Sequence, residues 1–84
     1  MHTYFFHLRD GEDVLLDPEG RQFPSMDALI AATLYEARDV VATDAKSGRI
    51  NLAQRLEIED DRGAIVHRLR LKDAVDIRGL EDSE

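Results

Sequence analysis

The stretch from Ser25 to Ser47 constrains the fold most, because it is the one segment long and periodic enough for a substantial helix. On a helical wheel Met26, Ile30, Leu34, Ala37 and Val41 fall on one narrow stripe, with Asp27, Glu36, Asp39 and Lys46 at its sides or back. Pro24 precedes Ser25, a candidate N-cap. Asp27 suits the positive first turn, Lys46 the negative last turn, and Gly48 the left-handed residue that closes a helix. A helix with a single apolar stripe must lay that stripe on something, and the flanking segments are strand-like.

Tyr4 to Arg9 has the aromatic, alternating composition of a strand, with Tyr4, Phe6 and Leu8 of one parity and Phe5, His7 and Arg9 of the other. The first set is expected against the helix, which leaves Phe5 on the open face. Asp10-Gly11 supplies a turn, Val14 to Asp17 returns as a second strand, and Asp17-Pro18-Glu19-Gly20 turns again before Phe23, which sits where it can pin the helix entrance. After Gly48, Ile50 and Leu52 anchor a polar link. Arg55 to Glu59 alternates, Leu56 and Ile58 inward and Glu57 and Glu59 outward. A turn at Asp60-Asp61-Arg62-Gly63 leads to Ala64 to Leu71, where Ile65, His67 and Leu69 share one parity and Val66, Arg68 and Arg70 the other, a glycine bulge at Gly63 being able to alter the facing of Val66 and His67. Val75 and Ile77 extend the core. The pattern predicts an α+β domain of order ββαββ, an antiparallel sheet of about four strands with one long helix on one face. One domain spans 1–78, and 79–84 is expected to be a disordered acidic tail.

In this arrangement Phe6→Ala is expected to cost about 3 to 5 kcal/mol and Glu57→Ala no more than about 0.5, since Glu57 falls on the wet face.

The chain of 84 residues contains no cysteine, so disulfides, thiolate metal sites and a cysteine nucleophile are excluded. No apolar run approaches the roughly 20 residues of a membrane span, and the opening residues do not read as a signal peptide, so a cytoplasmic location without membrane attachment is expected. A net charge of -7 disfavours nucleic acid, and the stripe of Arg55, Arg68, Arg70 and Lys72 is interleaved with Glu57 and Glu59.

No pattern of catalytic or metal-ligating residues stands out. His2 and His7 have opposite parity on one strand, and no cluster supplies the three protein ligands of a zinc site. Glu57, Glu59, Asp60 and Asp61 lack the spacing of a calcium loop, as do Asp10, Glu12 and Asp13. Neither a nucleophile elbow nor a glycine-rich phosphate loop is present. No cofactor, no metal and no enzymatic activity are therefore expected. The surface candidates are Phe5 on the open sheet face, Tyr35 on the outer side of the helix, and Arg68 and Arg70.

The run Tyr4-Phe5-Phe6-His7-Leu8-Arg9-Asp10-Gly11, together with Asp17, Glu19-Gly20, Phe23-Pro24, Ile58, Asp60, Gly63 and Asp73-Ala74-Val75, resembles a family of short soil and plant-associated bacterial proteins known as a domain of unknown function. The resemblance implies a stand-alone bacterial protein and carries no activity, ligand or site residue. The strand pair and helix also look like the front half of HicB-type antitoxins, without the glycine-rich third strand of that fold. The expected role is a non-enzymatic protein-interaction module, dimeric or bound to another protein. An antitoxin-like member of a two-protein pair is the alternative and a small enzyme the third reading.

Overall fold

A computed structural model describes residues 1–80. The elements run β1 (His2–Asp10), β2 (Asp13–Leu15), β3 (Arg21–Phe23), α1 (Met26–Lys46), β4 (Arg55–Asp60), β5 (Ile65–Arg70) and a short 3-10 helix, Leu71–Asp73. All strands form one 5-stranded antiparallel sheet in which β1 and β4 are central, β5 is one edge, and β2 and β3 share the other by pairing with the two ends of β1. The expected ββαββ order and α+β class are those of the molecule. The second expected strand, Val14 to Asp17, is the shorter β2, and after the turn at Asp17-Pro18-Glu19-Gly20 the residues expected only to lead into the helix pair with the start of β1 as an additional strand, β3. The acidic residues of the expected tail, 81–84, lie outside the described residues.

The central strand pair is in register Leu8↔Leu56, His7↔Glu57, Phe6↔Ile58 and Phe5↔Glu59. Alternation therefore sends Tyr4, Phe6, Leu56 and Ile58 to the helix side, where they join Leu29, Ala37, Val41, Leu71 and Ala74 in the core. Phe23 packs its ring 5.9 Å from that of Phe6 and 6.2 Å from that of Tyr4. This aromatic cluster closes the core below the helix entrance, where the Ser25 hydroxyl accepts from the Ala28 N–H at 3.1 Å.

The helix is turned relative to its expected stripe. Its buried line is Leu29, Thr33, Ala37 and Val41, whereas Met26 and Ile30 stand 42% and 43% exposed and Leu34 is half-buried against the core. Thr33 is the reason a hydropathy wheel is misled: it is fully buried, and its hydroxyl is satisfied by donating to the Leu29 carbonyl at 2.8 Å.

Near the start of β5 the register shifts. Ile58 faces His67 while Glu59 faces Ile65, so Val66 is the extra residue of a β-bulge. The bulge lies opposite the Ile58/Glu59 step, three residues beyond the expected Gly63, and it moves Ile65 to the open face while Val66 packs on the core. Val75 reaches the core as expected; Ile77 and Ile50, at 40% and 43% exposure, do not.

Candidate functional site

The face of the sheet away from the helix is organised as cross-strand rows. Arg9, Arg55 and Arg70 stand directly opposite one another on β1, β4 and β5; the next row is His7, Glu57 and Arg68; the third is Phe5, Glu59 and Ile65. Glu57 is the hub. Its carboxylate accepts from the Nε of Arg9 at 2.9 Å, of Arg55 at 3.0 Å and of Arg68 at 3.4 Å. The long side-chain stems of these arginines cover it, and Glu57 is only 7% exposed. This corrects the expectation of a solvated Glu57. Alternation placed it on the uncovered face correctly, but the arginines supply a cover of their own.

Burial pushes the Glu57 carboxyl upward in pKa, yet the hydrogen bonds from Arg55 and Arg9 and their positive charges outweigh it and hold the group below the ordinary glutamate range. The same row leaves Arg70 to Asp73, which accepts from its Nε at 3.2 Å.

His7 sits beside this hub and is buried. Its Nδ1 accepts the backbone N–H of Asp17 at 3.1 Å, which requires a lone pair there and places the ring proton on Nε2, 2.7 Å from Glu59 Oε1. Both ring nitrogens are thus engaged. His67 stands opposite Ile58 on the helix side of β5, and β5 is not a neighbour of β1, so the two histidines do not meet. Among the described residues no group of three or more histidine and acidic side chains is arranged to hold a metal ion.

Sequence reasoning took Asp17 for an ordinary turn residue, and the structure gives it a larger part. At the break between β2 and β3 the N–H of Phe6 meets no strand, and Asp17 Oδ2 accepts it at 3.1 Å while Oδ1 accepts from Glu19 and Gly20 at 3.1 and 3.3 Å. Burial raises this carboxyl's pKa, but the three backbone donors and nearby Arg21 lower it further, so it lies below the usual aspartate value. A side chain here substitutes for a missing strand partner. The only sequence sign of it is the break in strand pattern at Pro18.

The named surface candidates are scattered. Phe5 is half-buried, its ring stacked on His7 at 6.4 Å between centroids and covered from one side by the Gly20 turn. Tyr35 is 75% exposed on the far side of the helix. Arg68 and Arg70 share the open face, their side chains 63% and 62% exposed.

A concavity of about 490 Å³ opens on the helix side beside the β2 edge, lined in part by Leu8, Leu15, Leu16, Val40 and Leu56. Asp17, Glu19, Arg21 and Glu36 give it a charged rim, and Arg21 is already committed: its guanidinium lies 4.2 Å above the Phe6 ring and donates to Glu36 at 3.1 Å.

No helix of the described residues is long and apolar enough to cross a membrane. No curated protein and no solved structure matches the chain. A family model described as a domain of unknown function, DUF6894, matches residues 3–72, a span that holds the Glu57 hub, the His7 and Asp17 contacts and the whole helix, and the chain belongs to that family.

Proposed function

We propose that the protein is a non-enzymatic, cytoplasmic interaction module that works as a homodimer or with a second protein. One observation carries this reading: the buried carboxylates and the buried imidazole that the fold gathers are each already hydrogen-bonded within the chain. Glu57 is held by three arginines, His7 has both ring nitrogens occupied, and Asp17 is spent on backbone donors. General acid–base work needs a group whose lone pair or proton faces a reactant, and each of these is turned toward partners within the fold. Such a mutually satisfied arrangement is instead rigid, which suits presentation of a surface.

Two surfaces support association. The open face presents Arg68 and Arg70, and the β2 edge exposes Val14, Leu15 and Leu16 at 39%, 70% and 62% beside unpaired backbone. We assign self-association to the β2 edge and the partner to the open face. Light scattering at high micromolar concentration tests the first part: twice the chain mass is expected, falling to the chain mass in Leu15→Lys. A monomer at every concentration refutes the dimer.

A further inference from the structure

We infer that the arginine rows of the open sheet face are a binding site for an acidic segment of a partner protein, whose carboxylates sit over Arg9, Arg55, Arg68 and Arg70. The inference rests on the interaction reading above and names the chemistry of the partner.

Like charges directly opposite one another across strands destabilise a sheet, and here three arginines occupy one row. Among the described residues Glu57 and Asp73 relieve only part of this: the four guanidiniums meet two carboxylates, because Glu59 is turned toward His7. Donor capacity is likewise in excess. Each guanidinium carries about five N–H donors, and one carboxylate about four acceptor sites, so the three arginines on Glu57 hold far more donors than it can take. Glu57 acts as a base plate on which the guanidiniums of Arg9, Arg55 and Arg68 converge by their Nε atoms, while the backbone row of Arg9, Arg55 and Arg70 spans about 10 Å, two strand spacings.

That geometry fits carboxylates, which arginine binds in a fork-to-fork manner. The chain as a whole has a net charge of -7, so a long phosphate polymer reaching beyond this patch meets repulsion, whereas a short acidic peptide can be confined to it. Pre-fixed stems also reduce the ordering cost of binding.

The test is a fluorescently labelled octaglutamate peptide titrated with the intact protein at low and high salt, with anisotropy as the readout. Saturable binding that weakens with salt is expected, and Arg68→Gln combined with Arg70→Gln should weaken it by about tenfold or more. Both side chains are largely exposed, so the fold is retained, which circular dichroism checks; Arg78→Gln, an exposed arginine outside this face, should bind as the unaltered protein does. Equal loss in Arg78→Gln, or none in the double variant, overturns the assignment. So does tighter binding of an oligonucleotide of equal charge, or binding of inorganic phosphate without the peptide. Absence of peptide binding in a protein that still dimerises by light scattering refutes the acidic-segment site alone; absence of both refutes the interaction reading as well.

Discussion

The two faces of the sheet obtain their order by different physics. The helix-covered face is held by non-directional burial: Phe6, Leu56 and Ile58 lie against Leu29, Ala37 and Val41, and none requires a particular polar partner. Among the described residues no layer covers the open face, yet Glu57 and His7 are as buried there as Phe6 is on the other side. They are covered by neighbouring side chains on the same face, and each depends on named hydrogen bonds. A face without a helix is thus not a wet face, and burial alone does not distinguish core from site.

The sharpest way to break this comparison is to damage each face in turn. Phe6→Ala should cost about 3 to 5 kcal/mol in urea unfolding, since it removes a ring packed on Phe23 and Ile58 and leaves a cavity. An unchanged midpoint would mean that β1 faces the other way. Glu57→Ala, expected from the pattern alone to be nearly silent, should cost about 2 to 4 kcal/mol, because three arginines lose the carboxylate that offsets their mutual repulsion. Glu57→Gln should recover part of this by keeping an acceptor oxygen. If Glu57→Ala is silent, the hub is decoration and the two faces are not comparable.

Much of the first face was legible in the sequence, and little of the second. Period-two alternation located Phe6, Leu56 and Ile58, and cap residues located the helix to within a residue or two. Alternation assigns a face but not a register, and only register brings Arg9 opposite Arg55 and Arg55 opposite Arg70. Strand order was equally hidden, since β1 beside β4 is a contact between segments some fifty residues apart, as the His7–Glu59 separation of 52 shows. The rotation of the helix escaped for a local reason, a buried threonine that bonds its own backbone. A bulge in this hairpin was anticipated at Gly63, but its position at Val66 escaped because no glycine marks it there.

The turn between β2 and β3 should be nearly as sensitive as the hub. Gly20 has φ +74, and a Cβ there would lie 2.8 Å from both the Phe5 ring and the Thr3 methyl. Gly20→Ala therefore combines left-handed backbone strain with a clash against β1, and about 1 to 3 kcal/mol of destabilisation is expected by thermal melting. A neutral result would show that the turn can withdraw from Phe5.

Acid should act on the Glu57 hub and the Asp17 turn together. The carboxyls of Glu57 and Asp17 are both held below their ordinary pKa, so the unfolded chain binds more protons than the folded one between the two values. Their stabilisation is complete above the ordinary carboxylate range and is lost as pH falls through the lower, folded-state values. Urea midpoints should consequently hold steady near neutrality and drop below about pH 4. Glu57→Gln with Asp17→Asn should start less stable and show a shallower fall. A slope identical to that of the unaltered chain would remove these groups from the account.

The smallest effect belongs to Tyr35, and it separates the sheet's faces from a third surface, the back of the helix. At 75% exposure the ring has little burial to lose, so Tyr35→Ser should alter stability by no more than about 0.5 kcal/mol, chiefly through helix propensity. The informative measurement is light scattering. If the β2 edge joins two copies, the variant dimerises as the unaltered protein does, because Tyr35 lies on the far side of the helix from the sheet. If instead the dimer dissociates while the melting temperature stays fixed, the helix back is the contact, and the open face and the β2 edge are both left for other partners.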